Sequence, residues 1–152
     1  MSSIERARLI RLIRAKVKAQ LKQYAVAKTR EGFVNALNAV LSAALSHHYR
    51  AMLAVLNNRT DQVEKWRRQK EKFLQQFAIR LVMPLKSKKL DRKKAVEQSL
   101  KEVMETDALR RRVESPTFQK TYRLKKLFPL PENAHEEFLA EVRAMVDEVF
   151  PD

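Results

Sequence analysis

Apolar residues recur at helical spacing along most of the chain. Ile10, Ile13, Val17, Leu21 and Tyr24 fall within one narrow arc when residues are set about 100° apart, which predicts an amphipathic helix from roughly Ser3 to Thr29. Arg8, Arg11, Lys18 and Lys22 share nearly the opposite face, and Arg6 and Arg14 flank the apolar stripe, where their stems can lie over it. A bend or a turn is expected at Arg30–Glu31–Gly32, and a second helix then continues to about Leu56. It is apolar nearly all round, through Phe33, Val34, Leu37, Val40, Leu41, Leu45, Met52, Leu53, Val55 and Leu56, with alanines that let neighbouring helices approach closely. A helix without a polar face belongs in the middle of a bundle.

Asn57–Asn58–Arg59–Thr60 reads as a turn, with Asp61 capping a third helix and Glu64 in the capping-box position. Val63, Trp66, Phe73, Phe77 and Leu81 keep helical spacing until Pro84. A basic connector from Leu85 to Lys94 leads into a fourth helix, whose stripe is Val96, Leu100, Val103 and Met104. Thr106–Asp107 is expected to cap a short continuation through Arg110, Arg111 and Arg112. Ser115–Pro116 reads as a cap followed by proline at the first helical position. The helix after it should turn Phe118, Tyr122 and Leu124 inward. Pro129–Leu130–Pro131 ends that segment, and a last helix runs to Val149 on Phe138, Val142, Met145 and Val149. The pattern predicts an all-α, single-domain helical bundle of five or six helices over 1–152.

Composition narrows the choice. A β-sandwich needs frequent tight turns, and 152 residues with one glycine, Gly32, do not supply them. Without cysteine there is no disulfide, thiolate metal site or thiol nucleophile. The N-terminus interleaves Arg and Lys with apolar residues and shows no signal-peptide pattern. The longest uncharged stretch, Gly32 to Tyr49, carries Asn35, Asn38, Ser42, Ser46, His47 and His48, too polar a set for a lipid-facing helix. A soluble, cytoplasmic protein is expected, with no membrane partner.

Charge changes the picture further. The net value is +14, and it is unevenly spread. Residues 1–128 stand at +20, whereas 129–152 hold seven acids against Arg143, giving −6. Such self-repulsion calls for something anionic nearby. No HExxH, GxSxG, Walker or GxGxxG pattern is present, and adjacent helix positions such as His47–His48 do not converge on one ion. No enzyme activity, cofactor or metal is expected.

The candidate site is therefore the set of acid-poor basic clusters. They are the ridge of Arg8, Arg11, Lys18 and Lys22; the run Lys86, Lys88, Lys89, Arg92, Lys93 and Lys94 at a helix N-terminus, where the dipole favours phosphate; Arg110, Arg111 and Arg112; and Lys120, Arg123, Lys125 and Lys126. Charge spread over several helices, without helix-turn-helix spacing or zinc ligands, suits backbone binding of DNA or RNA rather than base readout. Tyr49, Trp66, Phe118 and Tyr122 are candidates to stack on unpaired bases, though their spacing suits core positions better. Glu136, Glu137 and Glu141 form an acidic face that either folds back on the basic helices or meets a neighbouring copy. The alternatives are an adaptor whose basic face meets an acidic partner or anionic membrane, and a phage or plasmid accessory DNA-binding protein.

A short, basic, all-helical chain without catalytic motifs resembles the small subunit of CRISPR surveillance (Cascade-type) complexes, a likeness of size, charge and helical class over the whole chain. The resemblance implies a non-enzymatic subunit of a larger nucleoprotein complex. It would be present in a few copies, packed head to tail and touching the target or displaced DNA strand.

Overall fold

The computed structural model describes Arg11 and residues 30–82, 91–105, 107–121 and 130–150. The described residues form an all-α fold of six helices: α1 (Arg30–Leu56), α2 (Thr60–Leu81), α3 (Arg92–Glu105), α4 (Ala108–Glu114), α5 (Pro116–Thr121) and α6 (Glu136–Val149). No strand occurs among them.

The second apolar stretch is the centre of the bundle. α1 packs against α2, α3 and α4, and Phe33, Leu37, Leu41, Ala44, Leu45 and Tyr49 are almost wholly enclosed. Glu31 and Gly32 are already helical, so no break occurs there. α1 ends on Asn58, which takes a left-handed φ of 56°. The Asn58 amide donates to the Val55 carbonyl at 3.1 Å and the Arg59 amide to Ala54 at 2.9 Å. These are the paired bonds that close a helix through a left-handed residue. The Asn57 side chain adds a third bond, to Leu53 O at 2.7 Å.

The expected cap of the next helix is displaced. α2 begins at Thr60, and the backbone carbonyl of Arg59 accepts from Gln62 and Val63 while no side chain caps the end. Asp61 therefore lies inside the first turn, where its charge meets the positive end of the dipole. Trp66, Leu74, Phe77, Ala78 and Leu81 form the buried face of α2. Trp66 packs with Ala51, Ala54 and Val63 in a small cluster of its own, apart from the main core.

At α3 the Asp91 carboxylate accepts the Lys94 amide at 3.1 Å. Ser99, fully enclosed, donates to Asn38 Oδ1 at 2.5 Å, and the Asn38 amide donates to Glu102 at 3.0 Å, pinning α3 to α1. Asp107 precedes α4 in the left-handed region, φ 53°, without a side-chain cap. Ser115 and Pro116 form the predicted junction: Ser115 Oγ accepts the Phe118 amide at 3.2 Å and Pro116 is the first residue of α5.

The acidic helix folds back onto the bundle. Phe138, Val142, Met145 and Val149 are buried in the main core. Each such side chain contributes about 1.5–3 kcal/mol, more than an exposed ion pair at about 0–1 kcal/mol. Burial thus decides the docking, and polar ties set its register. Lys70 of α2 meets Glu141 at 3.0 Å on one side, and Arg143 forks onto Glu97 of α3 at 3.0 and 3.1 Å on the other.

Candidate nucleic-acid interface

Nine of the seventeen cationic candidates, Arg8, Lys18, Lys22, Lys86, Lys88, Lys89, Arg123, Lys125 and Lys126, lie outside the described residues, as does Tyr122. Arg11, Lys94, Arg111, Arg112 and Lys120 are exposed, and Lys93 is half-buried. The described residues carry 19 Lys and Arg against 16 acids, whereas the other segments carry 13 against 2. Thus +11 of the +14 belongs to those segments, and the described helices are close to neutral.

Two arginines of the expected set serve the fold instead. Arg92 turns inward: its Nη1 donates to the Leu81 carbonyl at 2.6 Å, its guanidinium lies 5.6 Å from the centre of the Phe33 ring, and burial pulls its pKa below the usual arginine value. With Asp91 already on the Lys94 amide, the start of α3 is not the open phosphate site expected from its run of basic residues. Arg110 is still more committed. It donates to Glu114 at 2.9 Å, to Glu132 O at 3.1 Å and to Leu130 O at 2.5 Å, with its side chain only 16% exposed. Glu114 in turn accepts the Leu130 amide at 3.0 Å, so the pair clasps the chain on its way to α6.

The acidic face is divided in the same way. Glu136 and Glu137 are exposed in the first turn of α6, and Glu141 is withdrawn into its pair with Lys70. Glu141 is not an open contact for a neighbour.

The aromatic candidates are occupied as well. Tyr49 is buried, and desolvation pushes its phenol up to about 12. Trp66 is enclosed except for a small edge, with the Arg50 guanidinium 5.1 Å and the Lys65 ammonium 4.9 Å from the ring centre. Arg50 also lies 5.3 Å from the Phe118 ring, so one cation joins α1, α2 and α5. Cation–π contacts of this kind strengthen as water is excluded. Apolar spacing alone does not reveal this cluster. Its signal was that Arg50 is the only charged residue between Gly32 and Leu56.

His48 is buried and His47 half-buried, and each ring is held by a backbone carbonyl. Carbonyl oxygens only accept, so His47 donates through Nδ1 to Ala43 at 2.7 Å and His48 through Nε2 to Ala134 at 3.0 Å. The His47 ring sits against Trp66 and Phe73, and the His48 ring against Phe138. Burial lowers both pKa values, with Lys70 adding to the effect at His48.

Where α6 begins, the cleft between α1 and α2 remains open as a pocket of about 240 Å³. Its floor is the end of α1, His48, Met52, Val55 and Leu56. Arg67 and Lys70 of α2 form one wall, and Pro131 and Glu137 close the end nearest α6. Among the described residues no group of three or more His, Cys, Asp or Glu side chains is placed to hold a metal ion, and no helix is long and apolar enough to cross a membrane.

Fold and surface together define a small all-α bundle, near neutral in its described helices and strongly basic in the remaining sequence. No family model, curated protein or solved structure matches the chain.

Proposed function

We propose that this chain is a non-catalytic subunit that holds nucleic-acid backbone within a larger nucleoprotein assembly, in the manner implied by its resemblance to the small subunit of Cascade-type complexes. The supporting observation is the partition of charge: the described helices are nearly balanced, and the remaining segments carry +11, with all 13 of their Lys and Arg within 1–29, 83–90 and 122–129. Charge concentrated in this way neutralises phosphates and releases their counterions, a driving force indifferent to base identity. Exposed Arg11, Lys94, Arg111, Arg112 and Lys120 add to it from the described part of the chain. Glu136 and Glu137 remain exposed for contacts with other subunits or further copies.

The test is binding to labelled single- and double-stranded DNA and RNA of mixed sequence over a range of salt. Log affinity should fall linearly with log salt, with a slope reporting several neutralised phosphates and little dependence on sequence. A flat salt response, or no binding at low salt, removes the proposal.

A further inference from the structure

The pocket at the end of α1 differs from the cationic surface in both shape and chemistry. Its floor includes two apolar side chains left open to water, Val55 at 50% and Leu56 at 39% exposure, the large hydrophobic residues most exposed among those described. Its volume suits one large apolar side chain, the kind of anchor that dominates protein interfaces.

The chain itself shows what α1 and α2 accept. α6 lays Phe138 and Val142 into the core and sets Glu141 on Lys70 of α2. Arg67 lies three residues before Lys70, one turn nearer the start of the same helix, and is exposed, with no carboxylate paired to it among the described residues. The other charge on the rim, Glu137, is in the first turn of α6, where the helix dipole already stabilises it. The groups left open in the pocket are therefore the Arg67 guanidinium and the apolar surface of Met52, Val55 and Leu56, which an acid and an apolar side chain would cover together. A phosphate backbone fits poorly, because Met52, Val55 and Leu56 give it an apolar floor without donors.

We propose that this pocket docks an acidic segment of another protein, which inserts one large apolar side chain and places a carboxylate on Arg67. It repeats, between chains, the apolar-and-acid pattern by which α6 binds within the chain. Arg111, Arg112 and Lys120 do not line this pocket, so its occupancy can be tested separately from nucleic-acid binding.

The experiment uses the full chain with labelled Met, Val and Leu methyl groups, followed by NMR during titration with a peptide of the sequence of residues 136–149. The methyls of Met52, Val55 and Leu56 should shift saturably while those of Val142 and Met145 stay in place. Arg67→Glu and Leu56→Ser, both at exposed positions, should each weaken binding by about tenfold or more with circular dichroism unchanged. The proposal is overturned if a peptide with lysine in place of its acids binds equally well. Movement of Val142 and Met145 overturns it too, by showing exchange with the resident α6. So does a mixed-sequence oligonucleotide that shifts the same pocket methyls, or the absence of any shift at ~1 mM peptide.

Discussion

Lys70 Nζ stands 3.0 Å from Glu141 Oε2, with the two side chains only 11% and 19% exposed. A pair this enclosed is costly to break from one side, because the remaining charge stays desolvated. Lys70→Met should destabilise the fold by about 2–4 kcal/mol, and Lys70→Met combined with Glu141→Leu should recover most of that loss. Urea denaturation of the two single variants and the double variant measures the coupling. Additive effects would mean that the ion pair does not fix the register of α6.

Arg110 and its two neighbours should separate cleanly. Arg110→Ala leaves the carbonyls of Leu130 and Glu132 and the Glu114 carboxylate without their donor, and should cost about 2–4 kcal/mol of stability. Its effect on nucleic-acid affinity should be small under conditions where the variant stays folded. Arg111→Glu with Arg112→Glu should do the reverse, leaving the melting temperature nearly unchanged and reducing the salt slope of binding by about one or two. An Arg110 variant that folds normally but binds weakly would return Arg110 to the interface.

Stability should fall on mild acidification. His47 and His48 have pKa values below the ordinary 6.5 in the folded chain, so the unfolded chain binds more protons as pH falls through that value. Their contribution is complete above about pH 6.5 and declines below it, at up to ~1.4 kcal/mol per pH unit for the enclosed His48 and less for half-buried His47. Lys70 opposes protonation of His48, and Glu137 and Glu141 favour it. Chemical denaturation between pH 7.5 and 5.5, buffered at constant salt, reads the effect. His48→Asn should flatten the profile below pH 6.5; an unchanged profile would assign the acid sensitivity to other groups.

Much of the described scaffold was legible because apolar spacing reports which face is buried. The all-round apolarity of Phe33 to Leu53 put α1 in the centre, and the Phe138–Val142–Met145–Val149 stripe identified the docking face of α6. Ser115 before Pro116 identified a helix start because both residues act locally. The misread positions depend on distant backbone. Arg92 and Arg110 look like surface cations in a basic run, and the carbonyls they bind, Leu81, Leu130 and Glu132, carry no side-chain signature. Glu141 looked open for the same reason, its partner being 71 residues away. The pocket was invisible in the pattern because it arises from where α6 starts relative to the end of α1.

The reach of α6 has a consequence for synthesis. Its ties, and that of the loop before it, run back 46 residues to Glu97, 71 to Lys70 and 86 to His48. The α1–α2 hairpin, joined by Asn57 to Arg59, can form soon after both helices leave the ribosome, since its contacts are close along the chain. The apolar face that receives Phe138 and Val142 must then wait, uncovered, until α3, α4 and α5 have also been made. During that interval the nascent chain presents a hydrophobic strip and a large excess of positive charge, with the seven acids from Pro129 onward still untranslated. Translation speed across the segment from Ala108 to Asn133 therefore sets how long that strip is available to chaperones or to unwanted contacts.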